Sequence, residues 1–244
     1  APERIYRQGR EICNQINAEL RAYIRETYNV ESKLELELEK LYTRFFLPSV
    51  RGAAKADNSG AAGPARGRAK GYAGLVLLPG ETPRGGGLNM EGLNLEIVGM
   101  EAIRRDWTLL AREFQIKMLE MVFLKNSLET IQAHINHTIQ ELRAGHLDRK
   151  LVYVKALRKP AEEYTKTQPP HVKAAAQLER EQRHGLISFL WTKAGPQPAG
   201  RITAPIDYDH YVEKQLKPIA SAFTEVLTTD VEHLINGNRQ LWLF

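Results

Sequence analysis

An α+β fold is predicted by two contrasting periodicities in the sequence. Apolar residues fall mostly on one helical face over 4–28 and recur at steps of three and four over 107–142, the patterns of amphipathic helices. Leu34, Leu36 and Leu38 alternate with Glu35, Glu37 and Glu39, and the apolar runs at 69–78, 94–100 and 187–192 have the length of strands. The 244 residues suffice for one large domain or two small ones, and 43% hydrophobic content is enough for a core. A net charge of +5 favours an anionic partner. Cys13 is the only cysteine, which excludes an internal disulfide and a Cys-rich zinc site and fits a reducing compartment. No apolar run approaches the roughly 20 residues of a membrane helix. The first residues carry no signal-peptide pattern and open directly on a helical one, so the chain is expected to be a piece of a longer polypeptide.

In chain order, Ile5, Ile12, Ile16, Leu20, Ile24 and Tyr28 define the apolar face of the first helix, and Asn29 is its expected stop. The Leu-Glu alternation predicts a strand running through Tyr42 and Phe45-Phe46 to Pro48. Its three carboxylates form either a solvated strand face or a face near a metal ion. Residues 52–68 are small, polar and glycine-rich, and 79–92 begins PGETPRGGG; both are expected to be mobile loops. The strands at 69–78 and 94–100 would form a hairpin across the second loop. Asp106 suits a helix N-cap, whereas Arg104 and Arg105 beside a positive helix terminus point to a bound phosphate.

The series from Trp107 to Leu142 is expected to split at Asn126-Ser127 into two helices, with Ser127 capping the second and Gly145 ending it. His134 and His137 lie three apart, but no third ligand is near in sequence, so no metal is expected there. GPQPAG at 195–200 reads as a turn after the strand at 187–192. Tyr208, Val212, Leu216, Ile219, Phe223 and Val226 predict a helix bent at Pro218, and Asp230 caps a short helix ending near Gly237.

The richest stretch for function is 151–177, LVYVKALRKPAEEYTKTQPPHVKAAAQ. Lys155, Arg158, Lys159, Lys166 and Lys173 supply positive charge, and Tyr153, Leu157 and Tyr164 are interleaved to anchor it. Clustered cations with interleaved aromatics are how a nucleic-acid backbone is gripped. A solvated basic helix and loop has the same composition.

VKALRKPAEEY followed by PPHVKAA resembles the thumb of family B DNA polymerases. Lys70-Gly71-Tyr72 resembles the Lys-x-Tyr motif of the family's palm, with LELELEKLYTRFF before it and GLNLEIVGMEAIRRDW after it in family order. Ala69 and Gly71 depart from the pattern by standing where relatives carry basic residues. Arg104-Arg105-Asp106-Trp107 resembles the Arg-Arg-Asp-Trp of the palm–thumb junction.

The resemblance implies a remnant palm sheet with a long helix over 1–106, a mostly helical thumb over 107–239, and a parent enzyme that is a DNA-directed DNA polymerase. It implies DNA contacts from Lys70, Tyr72, Arg104, Arg105, Lys155, Arg158, Lys159, Tyr164, Lys166, His171 and Lys173. The last five residues are similar to the terminal peptide by which bacterial polymerases bind the sliding clamp, with Gln240, Leu241, Leu243 and Phe244 as contacts. Neither of the family's metal-binding aspartate segments is present, so this chain alone is expected to be inactive. Magnesium would belong to the full-length parent, with Glu39 the one acid near it. The implied location is the bacterial cytoplasm, at the nucleoid, without membrane contact. A non-catalytic DNA-binding module and a helical protein-interaction scaffold remain as alternatives.

Overall fold

The computed structural model describes residues 2–48, 71–77, 88–90, 93–165 and 168–236. The chain forms two compact units, Ala1–Phe46 with Ala73–Ile97, and Leu47–Tyr72 with Val98–Phe244.

The first unit combines a long helix with a small sheet. Helix α1 (Pro2–Tyr28) ends at Asn29, which takes a left-handed conformation with φ 52° and returns its N–H to Arg25 O at 3.0 Å. The apolar face read from the sequence is only partly used, since Ile5 and Ile12 remain 50% and 58% exposed. The face that packs is Gly9, Cys13, Asn17 and Leu20. A Cβ at Gly9 would approach Leu38 Cδ2 to 2.9 Å, so glycine permits that close passage.

The alternating Leu-Glu segment forms no strand over 31–41. It runs beside α1, and its backbone is satisfied by side chains instead of a ladder. Leu36 N–H donates to Asn17 Oδ1 at 2.8 Å, and Leu36 O accepts from Asn17 Nδ2 at 2.8 Å and from Cys13 Sγ at 3.0 Å. One buried amide therefore replaces a neighbouring strand.

The sheet contains β1 (Tyr42–Phe46), β2 (Tyr72–Val76), β3 (Leu88–Met90) and β4 (Leu93–Val98), in the order β1-β2-β4-β3. The two strands expected to pair are neighbours, but β3 occupies part of the expected 79–92 loop and pairs antiparallel with β4. Residues 52–68 and 79–87 lie outside the described residues. Gly74 permits the Tyr42 ring to cross β2, because a Cβ there would meet Tyr42 Cδ1 at 2.4 Å. Within this unit Lys40 Nζ donates to Glu96 Oε2 at 2.6 Å, both side chains largely buried. Breaking a buried pair of this kind is costly.

The second unit is mostly helical. Helices α2 (Leu109–Phe123) and α3 (Leu128–Arg143) divide where expected. Thr130 N–H donates to Ser127 Oγ at 3.2 Å, and Gly145 has φ 81°. Leu110, Phe114, Met118, Ile131, Ile135 and Leu142 are buried between these helices and the C-terminal ones. Those are α5 (Tyr208–Tyr211), α6 (Lys217–Ser221), α7 (Thr224–Leu227) and α8 (Val231–Asn236), the last capped by Asp230 as expected. Just ahead of Pro218, where a bend is expected, Val212–Leu216 forms a π-helical turn, and the proline lacks the N–H needed to continue α-helical bonding.

A second sheet, β5 (Tyr153–Ala156), β6 (Leu186–Thr192) and β7 (Gly195–Pro198), is antiparallel throughout. Of the turn expected at 195–200, Ala199-Gly200 form one, but Pro196 and Pro198 lie in an edge strand, where a missing N–H interrupts no internal ladder, and the hairpin turn is Lys193-Ala194. Helix α4 (Pro170–Ala175) covers this sheet, with Val172, Ala174 and Ala175 buried against Ile187 and Phe189.

Candidate nucleic-acid interface

The corner before α2 is built from the inside outwards. Gln115, fully buried on α2, accepts the Ala102 N–H on Oε1 at 2.6 Å and donates from Nε2 to Glu101 Oε2 at 2.7 Å. Arg112 Nε donates to Ala102 O at 2.9 Å. These bonds fix the 3₁₀ turn Glu101–Ile103, and Arg104 N–H closes it on Glu101 O at 3.0 Å. Thr108, not Asp106, caps α2: Ala111 N–H donates to its Oγ1 at 3.3 Å, while its hydroxyl also bonds Gln215 in the π-helical turn. Asp106 is taken by Arg104 in a two-point pair, Nε to Oδ1 at 3.0 Å and Nη2 to Oδ2 at 2.7 Å. That guanidinium holds the Asp106 carboxyl below its ordinary range against the effect of burial, and Lys155 adds to it. Arg104 is therefore oriented by an internal partner, and Arg105 beside it is exposed.

Strand β5 continues this surface. Lys155, Arg158 and Lys159 are exposed, while Tyr153, Leu157 and Tyr164 pack on the small core under the sheet. Tyr164 organises three neighbours. Its hydroxyl accepts the Arg158 N–H at 3.2 Å. Its ring lies 4.9 Å beneath Lys159 Nζ and meets His171 edge-on, with centroids 6.4 Å apart. Lys159 Nζ also donates to Glu163 O at 2.5 Å. Burial lowers the His171 pKa, and Lys155 lowers it further. Lys155 thus acts electrostatically on both Asp106 and His171. Lys173 is exposed on α4.

Tyr72 opens β2 and is half-buried. Glu39 is exposed in the irregular segment before β1, and among the described residues no three potential metal ligands cluster. His134 stacks on Phe114 with centroids 6.0 Å apart, and burial lowers its pKa. Lys70, Lys166 and the terminal Gln240, Leu241, Leu243 and Phe244 lie outside the described residues. No described helix is long and apolar enough to cross a membrane.

Sequence reasoning missed Arg180 and His184, exposed residues just before β6 that border Arg158 and Lys159 across a shared cavity. The only signal was the basic run RxxRH at 180–184, separated from the richer stretch by apolar α4.

Residues 68–235 match the profile of DNA polymerase family B. DNA polymerase II of Escherichia coli (strain K12) is 34% identical over 97% of this chain, which covers 28% of that protein. DNA polymerase 2 of Aeropyrum pernix is 34% identical over 63% of this chain and 20% of its own length. A DNA polymerase of Methanocaldococcus jannaschii is 27% identical over 63% of this chain and 10% of its own length. The chain therefore spans little more than a quarter of its curated relatives at most.

Proposed function

The chain belongs to DNA polymerase family B, and from that premise we propose that it supplies the grip on primer–template duplex within a DNA-directed DNA polymerase. Residues 1–106 are assigned to the palm and 107–239 to the thumb. The parent would use magnesium to activate the primer hydroxyl and stabilise the transferring phosphate, on aspartates this chain lacks. This chain alone then binds duplex but does not extend primers.

The observation that carries the reading is the Tyr164 cluster, which fixes the Arg158 backbone and carries Lys159 beside His171 within an exposed basic run that includes Lys155; Arg104 and Lys173 are further exposed cations. Tyr164 fixes the Arg158 backbone while the Lys155 and Arg158 side chains stay exposed, as sequence-independent backbone contact requires. Arg105 adds exposed charge; Lys166 is a further DNA contact that the family resemblance implies, and Lys70 and Tyr72 contact the primer end. Gln240, Leu241, Leu243 and Phe244 tether the parent to a sliding clamp.

The test is a salt titration of duplex binding by fluorescence anisotropy, using several unrelated sequences. Affinity should be indifferent to sequence and fall with salt. Replacing Lys155, Arg158 and Lys159 with alanine should flatten the log–log slope by about two to three, since each neutralised phosphate contributes about 0.9. An unchanged slope refutes backbone contact by this run. A helical scaffold would bind duplex in neither form.

A further inference from the structure

We propose that the cavity between the end of β5 and the start of β6 is a phosphodiester-binding pocket, a second hold on the strand that engages the Lys155–Lys159 surface. It has a volume of about 380 Å³ and is lined by Arg158, Lys159, Arg180, Arg183, His184 and Glu162. Its floor is fixed by the Leu157 N–H donating to Gly185 O at 2.9 Å, with Gly185 at φ 68°. Four permanent cations face one carboxylate. That carboxylate is already committed to Arg183, which donates from Nη1 to Glu162 Oε1 at 3.1 Å and from Nε to Leu178 O at 2.9 Å. Arg183 is thus the structural member of the set.

Among the described residues, the Arg158 and Arg180 guanidinium groups form no ion pair; both are exposed, and Arg180 shares the field of Glu162 with Arg183. Cations gathered round one concavity repel each other unless an anion compensates them. A planar guanidinium pair matches the oxygens of a phosphate two at a time. Among the described residues its lining is dominated by cations, with His184 the one aromatic ring. The chemistry therefore fits the phosphate of a strand. Arg158 and Lys159 belong both to the pocket and to the basic surface, so one continuous backbone can occupy both. Arg180 and His184 would then be contacts that the basic run at 151–177 does not supply.

This inference rests on the duplex-binding reading, and the test separates the two. Arg180→Gln, Glu162→Gln and Lys155→Ala are made in the 244-residue chain, with Lys125→Gln as a charge control on the α2–α3 turn. Each is titrated with labelled primer–template across a range of salt. Arg180→Gln should weaken binding roughly five- to tenfold near 100 mM salt and flatten the slope by about 0.9. Arg180→Lys should restore most of the slope, because the counterion term reads charge. Glu162→Gln should strengthen binding, since it removes the one negative group of the pocket. Lys125→Gln should change neither affinity nor slope. All three pocket variants alter exposed side chains, and thermal melting confirms that they fold. An unchanged slope in Arg180→Gln beside a flattened slope in Lys155→Ala overturns the pocket and leaves the surface intact. Unchanged slopes in both overturn duplex binding as well.

Discussion

Replacing Gln115 by leucine tests whether the Arg104 corner is held from beneath. The side chain is fully buried and makes two bonds, accepting the Ala102 N–H at 2.6 Å and donating to Glu101 at 2.7 Å. Leucine is branched and somewhat bulkier than glutamine, so no large cavity opens and the loss is mainly polar. A buried backbone N–H left without an acceptor costs about 1–3 kcal/mol, and the lost bond to the Glu101 carboxyl adds about 1 kcal/mol. The extra apolar burial returns about 1 kcal/mol. The net destabilisation should be about 1–3 kcal/mol, read as a shift in the urea midpoint of the second unit by tryptophan fluorescence, with Trp107 in the corner as reporter. The same variant should weaken duplex binding beyond what stability explains, because Arg104 and Asp106 hang from that turn. A loss under about 0.5 kcal/mol, with duplex affinity unchanged, would show that the turn holds without Gln115 and refute the reasoning.

Two further outcomes follow. His210 lies against Trp191 with centroids 4.3 Å apart and bonds Tyr153 Oη at 3.0 Å; burial lowers its pKa to about 4, with Asp207 opposing and Lys214 assisting. A base whose folded pKa lies below the unfolded value of about 6.5 stabilises the fold above that value and loses this stability as pH falls through the window to about 4. Partial exposure reduces the effect to about 1–2 kcal/mol. The urea midpoint should therefore fall more between pH 7 and pH 5 in the wild type than in His210→Phe, and equal shifts would contradict it. Deleting 240–244 from the full-length parent should remove clamp-stimulated processivity while leaving melting temperature and bare-template binding unchanged; a drop of several degrees with processivity intact would make the tail a structural element.

Helices were the most legible part of the fold because their signals are local. Ser127 and Gly145 mark the ends of α3 through their own backbone chemistry, and the structure uses both. The period-two segment misled for a physical reason. Alternation fixes which side chains point apart, but a strand needs a partner ladder, and here Asn17 on α1 satisfies the Leu36 N–H and C=O in its place. No pattern within 31–41 could report an amide 19 residues away. The prolines of 196 and 198 misled in the opposite sense, since only the sheet order reveals that their strand is an edge. Asp106 had the right chemistry for a cap, but the next available hydroxyl, Thr108, took the role and freed Asp106 for Arg104.

The candidate site was legible in its charges and not in their geometry. Lys155, Arg158 and Lys159 could be counted from the sequence, but their usefulness depends on what holds them. Tyr164 shows why: its hydroxyl fixes the Arg158 backbone, its face carries Lys159, and its edge meets His171. A tyrosine nine residues after Lys155 reads only as an interleaved aromatic. Its role appears when Pro160 and the 3₁₀ turn Ala161–Glu163 fold the chain back on itself. The same folding explains why Arg180 and His184 were missed, since α4 and its buried Val172 separate them in sequence from the cations they join in space. Charge that is contiguous along the chain marks where a backbone can be held. Charge gathered across a fold sets how many phosphates are held, so the salt slope, which counts them, is the measurement most sensitive to the part the sequence does not disclose.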